Sequence, residues 1–437
     1  REGDLVFQAL NDPKKTVIGF VAPAVRSVIA SHYGLKYDEA MPFLAGVLKS
    51  YKLGFDKIFD FSFAADLTIM EETSEFLNRV GANKNLPHFT SCCPGWVNFV
   101  ERRYPELINH LSSCKSPQQM MGSTVKSHYL DWANIKDKKD DVFVVSIVPC
   151  IAKKYEAARK EFVTDGNRDV DAVLTTTELL EMIKRTKVNM DEIEPQEYDE
   201  PYKHVSGAGI LFGVSGGVSE ATLRLAVEKL STAPLEDIDF KEARGLEGIK
   251  EVQVEAKGQK VKIAVISGLK NVEPILEQMK AGIDVGYDLI EVMCCPGGCI
   301  DGAGHPKPED TRELTHRKEI LMQLDKTSKI RKSQDNPDIL NLYKQFFKEP
   351  GSSVAHDYLH TSYSSKRNEV SIPHQERSKS THPVKEIAVC VDKHCFKKGS
   401  VDVLNKLNHK IMELGLDQFV KVKPQLCQGH CEDKDVF

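Results

Sequence analysis

The sequence predicts an α/β protein, parallel sheets flanked by helices, with a small second α/β module near its carboxyl end. Three observations carry this: short β-branched apolar runs, helical patterns between them, and one polar stretch that divides the chain. TVIGFVAP (Thr16 to Pro23) is the first run, and KIFDF (Lys57 to Phe61) a shorter second. EETSEFLNRV (Glu71 to Val80) then reads as a helix. VFVVSIVP (Val142 to Pro149) and DAVLTT (Asp171 to Thr176) are further strands, each too apolar to leave one face in water. TTELLEMIKRT (Thr176 to Thr186) and SEATLRLAVEKL (Ser219 to Leu230) are helices, and VKIAVISG (Val261 to Gly268) and DLIEVMCC (Asp288 to Cys295) are strands again. SSKRNEVSIPHQERSKSTHPVK, residues 364–385, carries two prolines and few large apolar groups, so it reads as an exposed linker. The domains expected are therefore 1–363, a linker 364–385, and a module over 386–437 that opens with EIAVCVDKHC.

Composition excludes several classes. The chain has 437 residues, is 41% hydrophobic and 28% charged, and carries a net charge of −5 from 59 basic and 64 acidic residues. Neither disorder nor a fibre fits these values, and no polybasic run invites nucleic acid or anionic lipid. No apolar run approaches the ~20 residues of a membrane helix, and no signal peptide opens the chain. With a first strand by Thr16 and no initiating Met, sequence is expected upstream of residue 1.

Cysteine is the informative count. Of eleven, nine have at most four residues between themselves and another cysteine. An odd number without secretory context points to metal or redox work in a reducing compartment. HFTSCC, VFVVSIVPC and DLIEVMCCPGGC each end an apolar run, and ligands collect at the carboxyl ends of strands in open α/β sheets. If these ends of one sheet system converge, they bring together Cys93, Cys150, Cys295 and Cys299, four thiols, the number that holds a cubane iron–sulfur cluster. Zinc is the rival metal, although structural zinc prefers two short knuckles in polar surroundings. Isolated buried cysteines remain the bland alternative.

TSCCPGW, PCIAKKYE and EVMCCPGGCIDGAG resemble the three signature segments of the [FeFe]-hydrogenase catalytic domain, over about residues 17–363. The resemblance implies that family's two-lobed fold and its H-cluster: a [4Fe–4S] cubane on Cys93, Cys150, Cys295 and Cys299. Through Cys299 it would join a di-iron unit carrying CO, cyanide and azadithiolate, built by maturation enzymes. Cys92 then resembles the proton-transfer thiol, with Glu72, Ser112 and Glu75 as further carriers and Arg79 near the surface. Lys153 would donate to one cyanide, and the Pro23–Ala24 backbone would contact the other. Met293, Phe212 and Val148 would line the pocket, and Glu156 would brace its loop. Three departures stand out: Ala24 where many members have Ser, Val148 where many have Met, and Cys294 where many have Ala. In addition, Ala303 breaks the glycine run after Cys299. Cys114 and Cys294 read as buried neutral thiols.

In the tail, Cys390 and Cys395 precede Cys427 and Cys431 by thirty-one residues, a C-x4-C then C-x3-C pattern. This resembles a thioredoxin-like [2Fe–2S] domain of multi-subunit NAD(P)-linked hydrogenases, with VDVLNKLNHKIMEL as its helix; six residues after Cys431 leave it incomplete. Zinc is again the rival, since His394 and His430 adjoin the cysteines. The expected function is reversible conversion of H2 to protons and electrons. Electrons would pass to ferredoxin, or to NAD(P) through flavin-bearing partner subunits, in the cytoplasm or in a hydrogenosome-like organelle. A non-catalytic iron–sulfur assembly relative and an H2-sensing relative are the alternatives.

Overall fold

The computed structural model describes residues 2–231, 239–240, 248–256, 259–308, 310–367, 385–390, 400–413 and 420–425. The chain divides into two compact units, 1–367 and 368–437. The first unit thus extends four residues past the expected boundary, and physical contacts explain why. The Lys366 backbone N–H donates to the Glu101 carbonyl at 2.8 Å, and its ammonium lies 3.5 Å from the buried Glu101 carboxylate.

Two four-stranded sheets form the first unit. One has the order β2-β1-β4-β7, all parallel, with β1 at Thr16–Val21, β2 at Lys57–Asp60, β4 at Val142–Val148 and β7 at Ala172–Thr175. Four of the predicted runs supply these strands. Gly19 faces Ile58 in register, and a Cβ on it would sit 2.9 Å from the Ile58 Cδ1 and 3.0 Å from the Phe55 ring, so a larger residue would push those side chains aside. The other sheet has the order β3-β10-β9-β8: β3 at His88–Phe89, β10 at Leu289–Met293, β9 at Gln259–Ser267 and β8 at Ile249–Ala256. β8 runs antiparallel to β9 and was not foreseen. Val252 is buried while Glu251, Gln253 and Glu255 face solvent, the one-sided alternation of an edge strand rather than a continuous apolar run. A two-residue antiparallel pair, β5 at Val163–Thr164 and β6 at Asn167–Arg168, completes the strands of this unit among the described residues.

The expectation of one converging sheet system is corrected here. The TSCC and CCPGGC segments leave β3 and β10 of one sheet, and the VPC segment leaves β4 of the other. The thiols therefore meet between the carboxyl ends of two sheets, in keeping with two lobes.

One helix links this meeting place to the surface. Phe61–Ala82 begins where Asp60 accepts the Ser62 N–H and ends at Asn83, whose left-handed φ of 46° lets its N–H reach the Arg79 and Val80 carbonyls. Its 22 residues span about 33 Å at 1.5 Å each. Through Thr73 the helix is buried on all sides, so its acidic groups at Asp66, Glu71 and Glu72 must all be paired.

In the second unit β11 (Lys385–Cys390) and β12 (Val420–Gln425) pair in parallel, and helix Ser400–Glu413 connects and contacts both, forming a βαβ unit. Cys390 ends β11; Cys395, Cys427 and Cys431, and linker residues 368–384, lie outside the described residues. Among the described residues no helix is long and apolar enough to cross a membrane.

Candidate metal centre and proton relay

Cys92, Cys93, Cys150, Cys294, Cys295 and Cys299 all line one apolar cavity of about 410 Å3. Pro23, Ala24, Val148, Lys153, Phe212, Met293 and Ala303 also line it, so every pocket residue the resemblance named lies on this wall. Gly298 sets the turn between Cys295 and Cys299: its φ is 76°, and a Cβ would fall 2.6 Å from the Ser215 nitrogen. Both conditions require glycine.

Four helices begin on this wall. Helix Pro23–Tyr33 starts after Ala22, Pro94–Arg103 after Cys93, Pro117–Thr124 after Ser116, and Ala152–Ala157 after Ile151. Proline occupies the first turn in three of them, where its missing N–H costs nothing. Their positive dipole ends favour anionic occupants, and the Ala152 and Lys153 N–H groups already bond the Cys150 sulfur.

Burial first, and neighbouring sulfur second, push Cys92, Cys150, Cys295 and Cys299 up, Cys295 to about 12. As bare thiolates at this spacing they would repel one another in a dry site; a metal that binds thiolate removes the conflict. Three loops delivering soft sulfur ligands into an apolar cavity fit an iron–sulfur cluster better than a structural zinc. The Cys294 N–H points at the Cys93 sulfur at 3.4 Å, the kind of bond that tunes such a cluster. Cys294 is not the fully buried thiol expected: it lies half-buried on the cavity wall, pushed up to about 11 by burial and by Cys93. Cys114 is fully buried.

Lys153 lies 8% exposed. Its ammonium donates to the Cys92 carbonyl at 3.0 Å and to Glu156 at 2.9 Å. Burial works against its charge, and Glu156 with the surrounding thiols outweighs burial, so its pKa is raised. Glu156 also accepts from Ser116 at 2.9 Å and Gln118 at 3.0 Å, which ties three segments at the cavity rim.

Behind Cys92 the environment turns polar. The Ser112 N–H donates to the Phe89 carbonyl at 2.8 Å, placing this serine beside the strand that leads into TSCC. Its Oγ lies 3.0 Å from a Glu72 oxygen and 3.0 Å from a Glu75 oxygen. A hydroxyl owns one proton, so both contacts are hydrogen bonds only when one carboxyl is protonated. Turning the hydroxyl round moves that proton from one side to the other. Burial opposes charge on Glu75, but His88, Arg79 and Ser112 together hold it down at about 2. No hydrogen bond joins Cys92 to Glu72 among the described residues, so transfer between them requires a bridging water.

A family match covers most of this architecture. The domain described as "Iron only hydrogenase large subunit, C-terminal domain" matches residues 15–303, and "Iron hydrogenase small subunit" matches 311–366. The chain belongs to the iron-only hydrogenase family. Among iron hydrogenase relatives, Iron hydrogenase 1 of Clostridium pasteurianum is 43% identical over 82% of this chain and 63% of its own length. NADP-reducing hydrogenase subunit HndD of Solidesulfovibrio fructosivorans is 43% identical over 82% and 62%. The chain therefore spans under two thirds of either. Protein NAR1 of Arabidopsis thaliana is 34% identical over 82% of this chain and 80% of its own. The solved structure of apo [FeFe]-hydrogenase HydA1 from Chlamydomonas reinhardtii superposes with a TM-score of 0.73 at 38% identity, covering 83% of this chain and 99% of that one.

Sequence reasoning within this hydrogenase family missed two buried histidines. His88 is fully buried, and its Nε2 meets Glu72 at 2.7 Å. It stands four residues before Cys92, on β3, and its position inside an apolar run was the available signal. His360 meets Glu71 at 2.9 Å and lies some two hundred and fifty residues from Ser113, its other partner, so no local pattern announced it. Arg79 was expected near the surface as the end of the relay. Its side chain is only 13% exposed, and its guanidinium is bonded to Glu75 (2.6 Å) and to the carbonyls of Leu111 (2.7 Å) and His110 (3.0 Å).

Proposed function

We propose that this chain interconverts H2 with two protons and two electrons. Cys93, Cys150, Cys295 and Cys299 would hold the cubane of an H-cluster, and Cys299 would join it to the di-iron unit. When bound, that group supplies the redox-active iron at which H2 is formed or split. The chain's own residues do the remainder. Phe212, Met293 and Val148 exclude water from the cavity, and the Pro23 and Ala152 helix starts present N–H groups to anionic ligands. Lys153 fixes the Cys92 loop by its carbonyl and keeps a cation against the cavity. Cys92, as a neutral thiol, gives a proton toward the reacting centre and takes one back, through water, from Glu72. Ser112 connects Glu72 to Glu75.

The observation that carries this reading is the position of Cys92: a thiol on the cavity wall, outside the ligand set, backed by the Glu72–Ser112–Glu75 chain. Infrared spectroscopy of matured, anaerobic protein tests it, since bound CO and cyanide give bands that no side chain produces. Cys92→Ala should retain those bands and lose turnover by roughly 100- to 10,000-fold. Full activity in this variant would remove the thiol from the relay. The 30% identity to the cytosolic Fe-S cluster assembly factor narfl of Danio rerio supports a second reading, an iron–sulfur assembly relative. Cubane signals by paramagnetic resonance without CO and cyanide bands, after maturation, would favour it.

For the tail, Cys390, Cys395, Cys427 and Cys431 would hold a [2Fe–2S] cluster on a thioredoxin-like module, with residues 368–384 as the linker. That cluster would pass electrons between the cubane and partner subunits bearing flavin and NAD(P), or ferredoxin. The likeness to HndD, an NADP-reducing hydrogenase subunit, supports a multi-subunit assembly. Deleting 368–437 should remove one paramagnetic signal and spare dye-linked H2 chemistry; a signal set unchanged by the deletion would refute the tail cluster.

A further inference from the structure

The relay drawn so far stops at Glu75, and its outward neighbour cannot continue it. The Arg79 guanidinium keeps its proton in proteins and is fully engaged with Glu75 and with main-chain carbonyls. A second set of groups leads on instead. The Ser113 Oγ lies 3.1 Å from Glu75 Oε2 and 2.8 Å from Nδ1 of His360, and the Ser113 backbone N–H also holds Glu75, at 3.0 Å. The other ring nitrogen of His360, Nε2, meets Glu71 at 2.9 Å. Tyr343 and the Gly351 N–H bind Glu71 in turn, at 2.5 and 2.8 Å. The antiparallel bridge between Cys114 and His360 fixes the ring's backbone. Glu71, Glu75, His356 and His360 all line one surface basin of about 320 Å3, and the exposed His356 ring stacks on His360 with centroids 4.0 Å apart.

We propose that protons enter and leave through a branch Glu71–His360–Ser113–Glu75, with His360 as its carrier. This rests on the hydrogenase reading above and extends it. Inward, the Glu71 carboxyl gives its proton to Nε2, and the Nδ1 proton passes to the Ser113 oxygen as Ser113 releases its own hydroxyl proton to Glu75. Glu71 is itself fully buried beneath the basin, so its reprotonation needs a water to enter from the basin, after which reorientation of the hydroxyl and ring restores the starting state. Each proton taken at one end is matched by one delivered at the other, so no oxidant or reductant is consumed. An imidazole suits this position because it can bind a proton at one nitrogen while releasing one from the other. The ionisable groups facing the ring are Glu71 and Glu75 from the long helix, Cys114, Tyr343 and His356.

The test uses the matured full chain, with dye-linked turnover measured in H2O and D2O and infrared bands as the check on cluster integrity. His360→Gln keeps polar contacts but cannot carry a proton. It should lower turnover roughly tenfold and raise the solvent isotope effect, with the bands unchanged. In His360→Gly, added imidazole should restore much of the loss, which a merely structural role would not allow. Ser113→Ala, which keeps the backbone N–H to Glu75, should reproduce the defect and decides the matter if the His360 variants lose their bands. Turnover within about twofold of the parent in His360→Gln and Ser113→Ala, with the isotope effect unchanged, would overturn the branch. So would a loss that imidazole leaves untouched in protein with intact bands. A parent chain without bands or turnover fails the hydrogenase reading itself, and the branch with it.

Discussion

The two sides of the Cys92–Cys93 pair are built from opposite materials. On the Cys93 side lie an apolar cavity, four convergent helix starts and thiols that burial keeps neutral until a metal takes them. On the Cys92 side lie Glu72, Ser112, Glu75, Ser113 and His360, linked by hydrogen bonds of 2.8–3.1 Å. The first side suits electrons and excludes water. The second suits protons, since each of its members both accepts and donates in some protonation state. On the proposed function, these two adjacent residues would separate the protons from the electrons of one reaction. Four substitutions probe the separation.

The largest effect is expected on the dry side. Cys299→Ala removes the thiol shared between the two parts of the proposed cluster, so CO and cyanide bands and turnover should both fall to background. A variant that kept the bands would place the bridge elsewhere. Ser112→Ala comes next. It deletes the one hydroxyl between Glu72 and Glu75 and leaves the cavity untouched, so turnover should drop by roughly 100-fold with bands unchanged. If turnover survived, protons would have to bypass the serine through water. His88→Leu should be smaller and should appear in stability. The Glu72 oxygen that meets His88 is buried, and losing its donor costs about 1–3 kcal/mol, read as a lower denaturation midpoint.

Legibility in the sequence followed the same division. The strands of the first sheet were plain because their runs are apolar on both faces, and the cavity cysteines stood at the ends of such runs. β8 was not, because its alternation of Glu251, Val252 and Gln253 belongs to a half-exposed hairpin partner. Two sheets rather than one could not be read from strand ends, since convergence in space leaves no mark on spacing. On the polar side, Glu72, Glu75 and Arg79 share a helix face by their spacing of three and four, yet that pattern equally describes a solvated surface helix. What makes them different is burial by His88, Ser112 and His360, which come from outside the helix, at separations from 16 to 289 residues. Arg79 shows the limit most clearly: spacing put it on the same face as Glu75, but its bonds to the His110 and Leu111 carbonyls come from a distant segment that spacing does not reveal.

Arg79→Gln measures that last point and should have the smallest effect. Glu75 sits near 2 in the folded protein against an ordinary 4.5, so its ionised form is favoured by folding. This depressed pKa contributes stability that is fully present above pH 4.5 and is lost as pH falls toward 2. The fall from 4.5 to about 2 corresponds to about 3 kcal/mol, shared among His88, Arg79, Ser112 and His360. Removing Arg79 alone should therefore cost about 1 kcal/mol at pH 7 in the cluster-free protein, by denaturant midpoint. The gap between variant and parent should close as pH approaches 2, where both forms of Glu75 become protonated. Turnover should change by no more than about twofold, because the guanidinium holds the carrier without carrying the proton. A gap that stayed constant with pH would mean that Arg79 stabilises the fold through its carbonyl contacts and not through Glu75. A large loss of turnover would instead return Arg79 to the relay and weaken the case for His360.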